Sequence, residues 1–214
     1  MSQLNRRTFV STVVSSVFAM GALGMSAPGW AADEAPDALI QRLSNEVLQT
    51  ARTDQQVQGG DIQHMMTLVD AKIMPYVNFT RMTAATTGPA WRRATADQRQ
   101  QLQQEFKTLL VRTYAGALRR ASDQTIEVRP MRGGAGDKEV LVRTLVKGRG
   151  DPVQIDYRME KTSGQSAGWK IYDMNVMGVW LVDTYRPQFA QQINASGIDG
   201  LIKLLEERNK ANAA

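Results

Sequence analysis

Beyond residue 35 the apolar positions recur at helical spacing for most of the first two thirds of the chain. Leu39, Leu43, Val47 and Leu48 predict a first helix, with Pro36 in its opening turn, where a missing amide donor costs little. Residues 55–60 read as a break. Asp61 is placed to cap a second helix whose Ile62, Met65, Met66, Val69 and Ile73 lie near one face, and Pro75 ends or kinks it. Residues 78–85 predict a further turn or two, closed by Thr86-Thr87-Gly88-Pro89. Thr95 and Gln98 form the two halves of a capping box before the longest helix, over 96–121. Its stripe is Leu102, Phe106, Leu109, Leu110, Val111, Tyr114 and Leu118, and its arginines spread over the other faces.

After Asp123 the period changes to two. Ile126 and Val128 open a strand that stops before Pro130; residues 140–147, 153–161 and 169–176 predict three more. In the third, Val153, Ile155, Tyr157 and Met159 alternate with Gln154, Asp156, Arg158 and Glu160, the pattern of an antiparallel strand with one buried face. Residues 179–193 read as helix or extended connection and 198–208 as a closing helix. Helices, then a four-stranded antiparallel meander, then helices make an α+β domain in which a twisted sheet cups helices on one face.

The first 31 residues stand apart from this pattern. Arg6 and Arg7 precede an uncharged apolar run over 10–25, too short to span a bilayer comfortably, since about 20 apolar residues are needed. Gly29 and Ala31 frame a cleavage site, so 1–31 reads as a signal peptide and 32–214 as the mature domain, exported to the periplasm of a diderm host. The adjacent arginines also fit part of a twin-arginine signal. Removing this segment takes two of the 26 basic residues and none of the 21 acidic ones. The remaining basic excess of three carries no dense Lys/Arg stripe with interleaved aromatics, which argues against nucleic acid as a partner. The chain has no cysteine, which excludes disulfides, thiol catalysis, thiolate metal sites and a lipidated anchor.

Candidate chemistry is thin. His64 is the only histidine, so histidine triads and multi-histidine metal sites are excluded; it reads as a polar residue on a helix surface. Asp61, Asp70 and Asp173 are scattered acids, better suited to capping and hydrogen bonding than to acid–base work, with Asp173 the one to test. Gly133-Gly134-Ala135-Gly136 joins two strands and is a hairpin rather than a phosphate loop. No catalytic residue, metal ligand or cofactor site emerges. Eight methionines lie beyond residue 31, several on inward faces, and suit a loosely specified core or a cavity for flexible chains. The run from Gly168 to Phe189, through Met174, Val176, Val179, Trp180 and Leu181, carries more apolar surface than its own backbone needs.

Taken in order along the chain, several segments resemble the MlaC, or toluene-tolerance auxiliary, family of periplasmic phospholipid-binding proteins. They are Val69-Asp70, Ile73-Met74-Pro75-Tyr76-Val77 with Phe79, Gln98-Arg99 through Phe106, Leu109 and Tyr114, Gly136-Asp137, and Pro152-Val153 through Asp156-Tyr157. Trp169-Lys170-Ile171-Tyr172-Asp173-Met174, Gly178-Val179 and Gly197-Ile198-Asp199-Gly200-Leu201 complete the set, which covers nearly all of residues 32–214. Family members often carry an acid before the glycine and a serine after the valine, where this chain has Met177 and Trp180.

The resemblance implies a carrier without catalytic chemistry, taking phospholipid between an outer-membrane lipoprotein–porin complex and an inner-membrane ABC transporter complex with its substrate-binding hexamer, and so maintaining outer-membrane lipid asymmetry. It implies a fold similar to the NTF2-like cone, a curved four-stranded sheet and helices enclosing an apolar cavity. Diacyl tails expose about 30 methylenes at roughly 0.8 kcal/mol each, on the order of 20 kcal/mol to hide from water. The expected lining is Val142, Ile155, Tyr157, Met159, Ile171, Met174 and Val176 from the sheet and Ile73, Met74, Val77, Phe106, Leu110 and Tyr114 from helices. Val179, Leu181 and Val182 are expected to close one wall. Two other readings fit the residues: an NTF2-like enzyme on a hydrophobic small molecule, with Asp173 and Tyr157 or Tyr172 as acid–base pair, and a periplasmic adaptor with an exposed apolar interface.

Overall fold

The computed structural model describes residues 34–131, 136–163 and 168–211; the expected signal segment and most of the Gly133–Gly136 turn lie outside them. Local chemistry sets the helix starts. Helix α1 (Pro36–Thr53) begins on its proline. Residues 55–60, expected as a break, instead form a one-turn helix α2 (Gln55–Gly59), because Asp54 accepts from the amides of Gln56 and Val57 and Gly60 closes the turn at φ 85°. Asp61 caps α3 (Ile62–Lys72) through the His64 amide, and a 3-10 turn (Met74–Tyr76) follows at Pro75. Asn78 caps α4 (Phe79–Thr87). Helix α5 (Ala96–Arg119) carries the expected capping box between Thr95 and Gln98.

The sheet has five strands rather than four, in sequential order: β1 (Thr125–Val128), β2 (Glu139–Lys147), β3 (Val153–Lys161), β4 (Trp169–Val176) and a short β5 (Val179–Trp180). The fifth was hidden because two residues are too few to show a period. All neighbours pair antiparallel, and the free side of β4 is shared between β5 and a parallel bridge from Val77 to Ile171. Side chains of directly paired residues lie on one face, so the register fixes the inner face: Val140, Met159 and Ile171 in one row, Val142, Tyr157 and Met174 in the next. Ile171 and Met174 are an odd number apart. They share a face because the ladder shifts between Arg158 and Met159, leaving Tyr172 as the extra residue of a bulge on β4.

Helix α6 (Leu181–Ala211) is two helices joined at Gly197, whose φ of 73° breaks the helical path; these are the two helical stretches expected over 179–193 and 198–208. Its first turn is tied to the sheet by Asp173. That side chain is 1% exposed, and its Oδ1 accepts from the amides of Met174 (2.9 Å) and Val182 (3.1 Å) while Oδ2 accepts from Arg158 Nη1 (3.0 Å). Arg158 in turn lies over the Trp180 ring at 3.8 Å. One turn of sheet away, Arg81 of α4 lies over Tyr172 at 3.6 Å and pairs with Glu139 (2.7 Å) and Glu160, and Asn78 donates to Glu160 at 2.5 Å.

Removing the Asp173 carboxylate leaves two amides and a guanidinium without their acceptor. Asp173→Ala is expected to lower the unfolding free energy by about 2–3 kcal/mol in urea denaturation; a variant as stable as the parent chain contradicts the anchoring role.

Candidate functional site

The buried apolar residues divide into two large clusters and two small ones instead of forming one continuous core; the small ones join Leu48 and Ala51 of α1 to Ala121 and Leu118, and Val57 of α2 and Met65 of α3 to Ala115 of α5. On the sheet side, Val140, Val142, Tyr157, Met159, Trp169 and Ile171 pack against Leu39, Ile40 and Leu43 of α1, with Ile155 and Met174 partly buried at the margin. On the helix side, Phe79, Met82, Leu102, Phe106, Leu109, Val182, Phe189, Leu201, Ile202 and Leu205 join α4, α5 and α6. Phe106 is the hub of this cluster, with ring centroids of Phe79, Tyr185 and Phe189 at 5.6, 5.0 and 5.2 Å. Val77 packs against both clusters. Domains of this size usually build one contiguous core with smaller satellites, so the boundary between the two large clusters marks where the buried side chains are least interlocked.

The expected lining residues fall on both sides of that boundary. Val142, Tyr157, Met159 and Ile171 are buried on the sheet side, with Ile155 and Met174 beside them; Phe106 and Val182 are buried on the helix side, with Met74 and Leu110 beside them. Leu181 is buried at the start of α6. Ile73, Tyr114 and Val176 are half-buried, and burial pushes up the Tyr114 hydroxyl, with Tyr185 adding to it. Val179 corrects the expectation of a wall: it is 54% exposed, beside the tip of the β4–β5 hairpin. What sequence reasoning missed is α1. Its apolar stripe was visible, but nothing local says that Leu39, Ile40 and Leu43 fill the face of the sheet.

Beside the small cluster of Val57, Met65 and Ala115, a cleft of about 50 Å³ opens between α1, α3 and α5, lined by Val47, Met65, Leu68, Val69, Ile73 and Leu118, with Glu46, Thr50 and Lys72 at its polar edge. Pockets for drug-sized ligands run to about 300–1,000 Å³, so the cleft admits a few methylene groups and a larger guest requires the elements to part. Of the expected lining residues only Ile73 borders this cleft, while Val142, Tyr157, Met159, Ile171, Phe106, Leu181 and Val182 are buried among other side chains.

The expected acid–base constellation does not assemble. Tyr157 faces inward, where burial raises its hydroxyl pKa against the lowering effect of Ser44 and Thr144. Asp173 is on the opposite face; burial pushes its carboxyl up, while the Val182 and Met174 amides pull it down, and its oxygens are spent on α6 and Arg158. His64, expected to be solvated, is partly buried with Nε2 2.7 Å from Asp54 Oδ2. Asp70 pairs with Lys107 at 2.6 Å.

The family model described as MlaC protein matches residues 41–207. The chain is 43% identical to a phospholipid-binding protein from Ralstonia solanacearum solved in complex with a phospholipid, superposing with a TM-score of 0.79 over 86% of this chain and 100% of that one. It is 24% identical over 178 residues to the intermembrane phospholipid transport system binding protein MlaC of Haemophilus influenzae, covering 82% of this chain and 83% of the relative. Toluene tolerance protein ttg2D of Pseudomonas putida is 29% identical over 108 residues, about half of each chain.

Met177 and Gly178 form the two-residue loop between Val176 and Val179, and both have positive φ, 55° and 88°. Hairpins of this length favour such angles, with Asn-Gly the preferred pair. Methionine there pays for its Cβ and leaves 71% of its surface exposed. Met177→Asn is expected to raise stability by about 1 kcal/mol in urea denaturation; a loss of stability would show that the Met177 side chain makes a compensating contact.

Proposed function

The chain belongs to the MlaC family, and from that premise we propose that it is a periplasmic phospholipid carrier that takes up one diacyl phospholipid per molecule. The observation that carries this reading is that the two large apolar clusters, one on the sheet side and one on the helix side, meet at Val77. Acyl chains entering along their boundary exchange protein–protein apolar contacts for protein–lipid ones. Little is lost in the protein, and most of the roughly 0.8 kcal/mol per methylene is regained for the lipid. The Ralstonia relative's bound phospholipid supports the same reading.

The tails lie between Val142, Ile155, Tyr157, Met159, Ile171, Met174 and Val176 on one side and Ile73, Met74, Val77, Phe106, Leu110 and Tyr114 on the other. No step of bond making or breaking is involved; the chain binds, hides and releases. Residues 1–31 direct export and are removed. The carrier exchanges lipid with an inner-membrane ABC transporter complex and with an outer-membrane lipoprotein–porin complex, in keeping with outer-membrane lipid asymmetry. Among the described residues no helix is long and apolar enough to cross a membrane.

Native mass spectrometry of the mature chain purified without detergent is expected to find phospholipid at about one molecule per chain; a protein free of lipid that also takes none from vesicles overturns the reading. Leu110→Trp, at the margin of the helix-side cluster, places a large ring in the plane and should at least halve the lipid retained while the thermal midpoint stays within a few degrees. Val142 is a poorer probe, since it is fully buried against α1 and a tryptophan there overpacks the core by about 1–3 kcal/mol.

A further inference from the structure

The mouth of the α1–α3 cleft combines two charges that do not neutralise one another. Lys72, at the end of α3, has its ammonium 3.4 Å from Thr50 Oγ1 and pairs with no carboxylate among the described residues. Glu46 lines the same cleft from α1, one turn before Thr50, whose hydroxyl donates to the Glu46 carbonyl. Glu46 is held by Arg42 at 3.1 Å, but Arg42 is shared with Glu34 at 2.8 Å, so that trio carries a net negative charge. Arg42 also lies over the Tyr76 ring at 4.9 Å, which fixes it against the turn after α3. An uncompensated cation and an acidic excess thus flank an apolar opening.

An apolar opening with separated opposite charges at its edge is complementary to one class of molecule: an amphiphile whose head carries a phosphate and an ammonium. We propose that α1 and α3 form the portal through which phospholipid tails enter, with Lys72 and Thr50 seating the headgroup phosphate and Glu46 facing the headgroup amine. This rests on the carrier reading and adds to it a route and a headgroup preference. The phosphate at Lys72 forms a charge-assisted hydrogen bond, stronger than a neutral one, although Lys72 is exposed. The tails pass between Val47 of α1 and Leu68 and Val69 of α3 toward Ile73 and the plane between the two clusters. The amine is held only by the surface of Glu46, so the preference it confers is modest and leaves release easy.

The test uses tail-labelled lipids transferred from vesicles to the mature chain: phosphatidylethanolamine, phosphatidylglycerol, and a diacylglycerol of the same tails. Lys72→Glu is expected to lower uptake of both phospholipids about tenfold and leave diacylglycerol unchanged. Glu46→Gln is expected to remove a preference of a few-fold for phosphatidylethanolamine over phosphatidylglycerol. Because the chain is naturally free of cysteine, Val47→Cys/Val69→Cys can be joined by a short bis-maleimide linker, which should slow exchange at least tenfold and trap lipid already inside. Wild-type uptake of phospholipid with Lys72→Glu and the linked variant indistinguishable from it overturns the portal while leaving the carrier reading intact. Inorganic phosphate binding that Lys72→Glu abolishes, with lipid transfer equal in both proteins, makes this a free-anion site and also overturns it. A wild-type chain that takes up no phospholipid overturns the carrier reading itself.

Discussion

Acyl chains cannot be left in water, so a protein that carries them needs an apolar interior that it can yield to a guest without unfolding. A single well-packed core resists this, because protein interiors have crystal-like density and separating them costs contacts throughout. The chain meets the constraint by division. One large apolar cluster belongs to the sheet and α1 and the other to α4, α5 and α6, with smaller clusters joining α1, α2 and α3 to α5. The residues along the division are half-buried valines, methionines, leucines and tyrosines, which tolerate a change of neighbour better than fully interlocked side chains do.

A divisible interior needs a frame that does not divide. The opposite face of the sheet supplies it through polar contacts. Asp173 ties the first turn of α6 to β4, Arg158 links Asp173 to Trp180 of β5, and Arg81 links α4 to Glu139, Glu160 and Tyr172 across three strands. The bulge at Tyr172 belongs to the same frame. It turns Trp169, Ile171, Met174 and Val176 all to the inner face, and at the same time places Asp173 outward, where it meets the α6 amide. The strongest acid candidate in the sequence is therefore a structural anchor, and the lack of acid–base partners around it follows from where the bulge points it.

The fold was largely legible in the sequence because its signals are local. Capping by Asp61 and Thr95, the alternation of Val153 through Glu160 and the interruption between 193 and 198 are each set within a few residues. The site was legible only in part, because it depends on pairings distant in sequence. Helix α1 shows its apolar stripe, yet that Leu39, Ile40 and Leu43 fill the sheet, leaving Val47 for the cleft, depends on strands a hundred residues away. Val179 was misplaced for a related reason: its apolar character was read as interior, while a two-residue hairpin loop carries it to the surface. The resemblance to the MlaC family points to a cavity where the residues alone favour a core.

Admission of lipid by parting of the two large apolar clusters, with the sheet left whole, changes one distance and leaves another fixed. Spin labels at exposed Gln49 of α1 and Gln104 of α5, with a second pair at Thr125 and Arg143 within the sheet, measure this directly by pulsed dipolar spectroscopy on lipid-free and lipid-loaded protein. The α1–α5 distance is expected to lengthen on loading while the distance within the sheet is unchanged. An α1–α5 distance that is the same in both states, with phospholipid bound at one per chain, would contradict such parting.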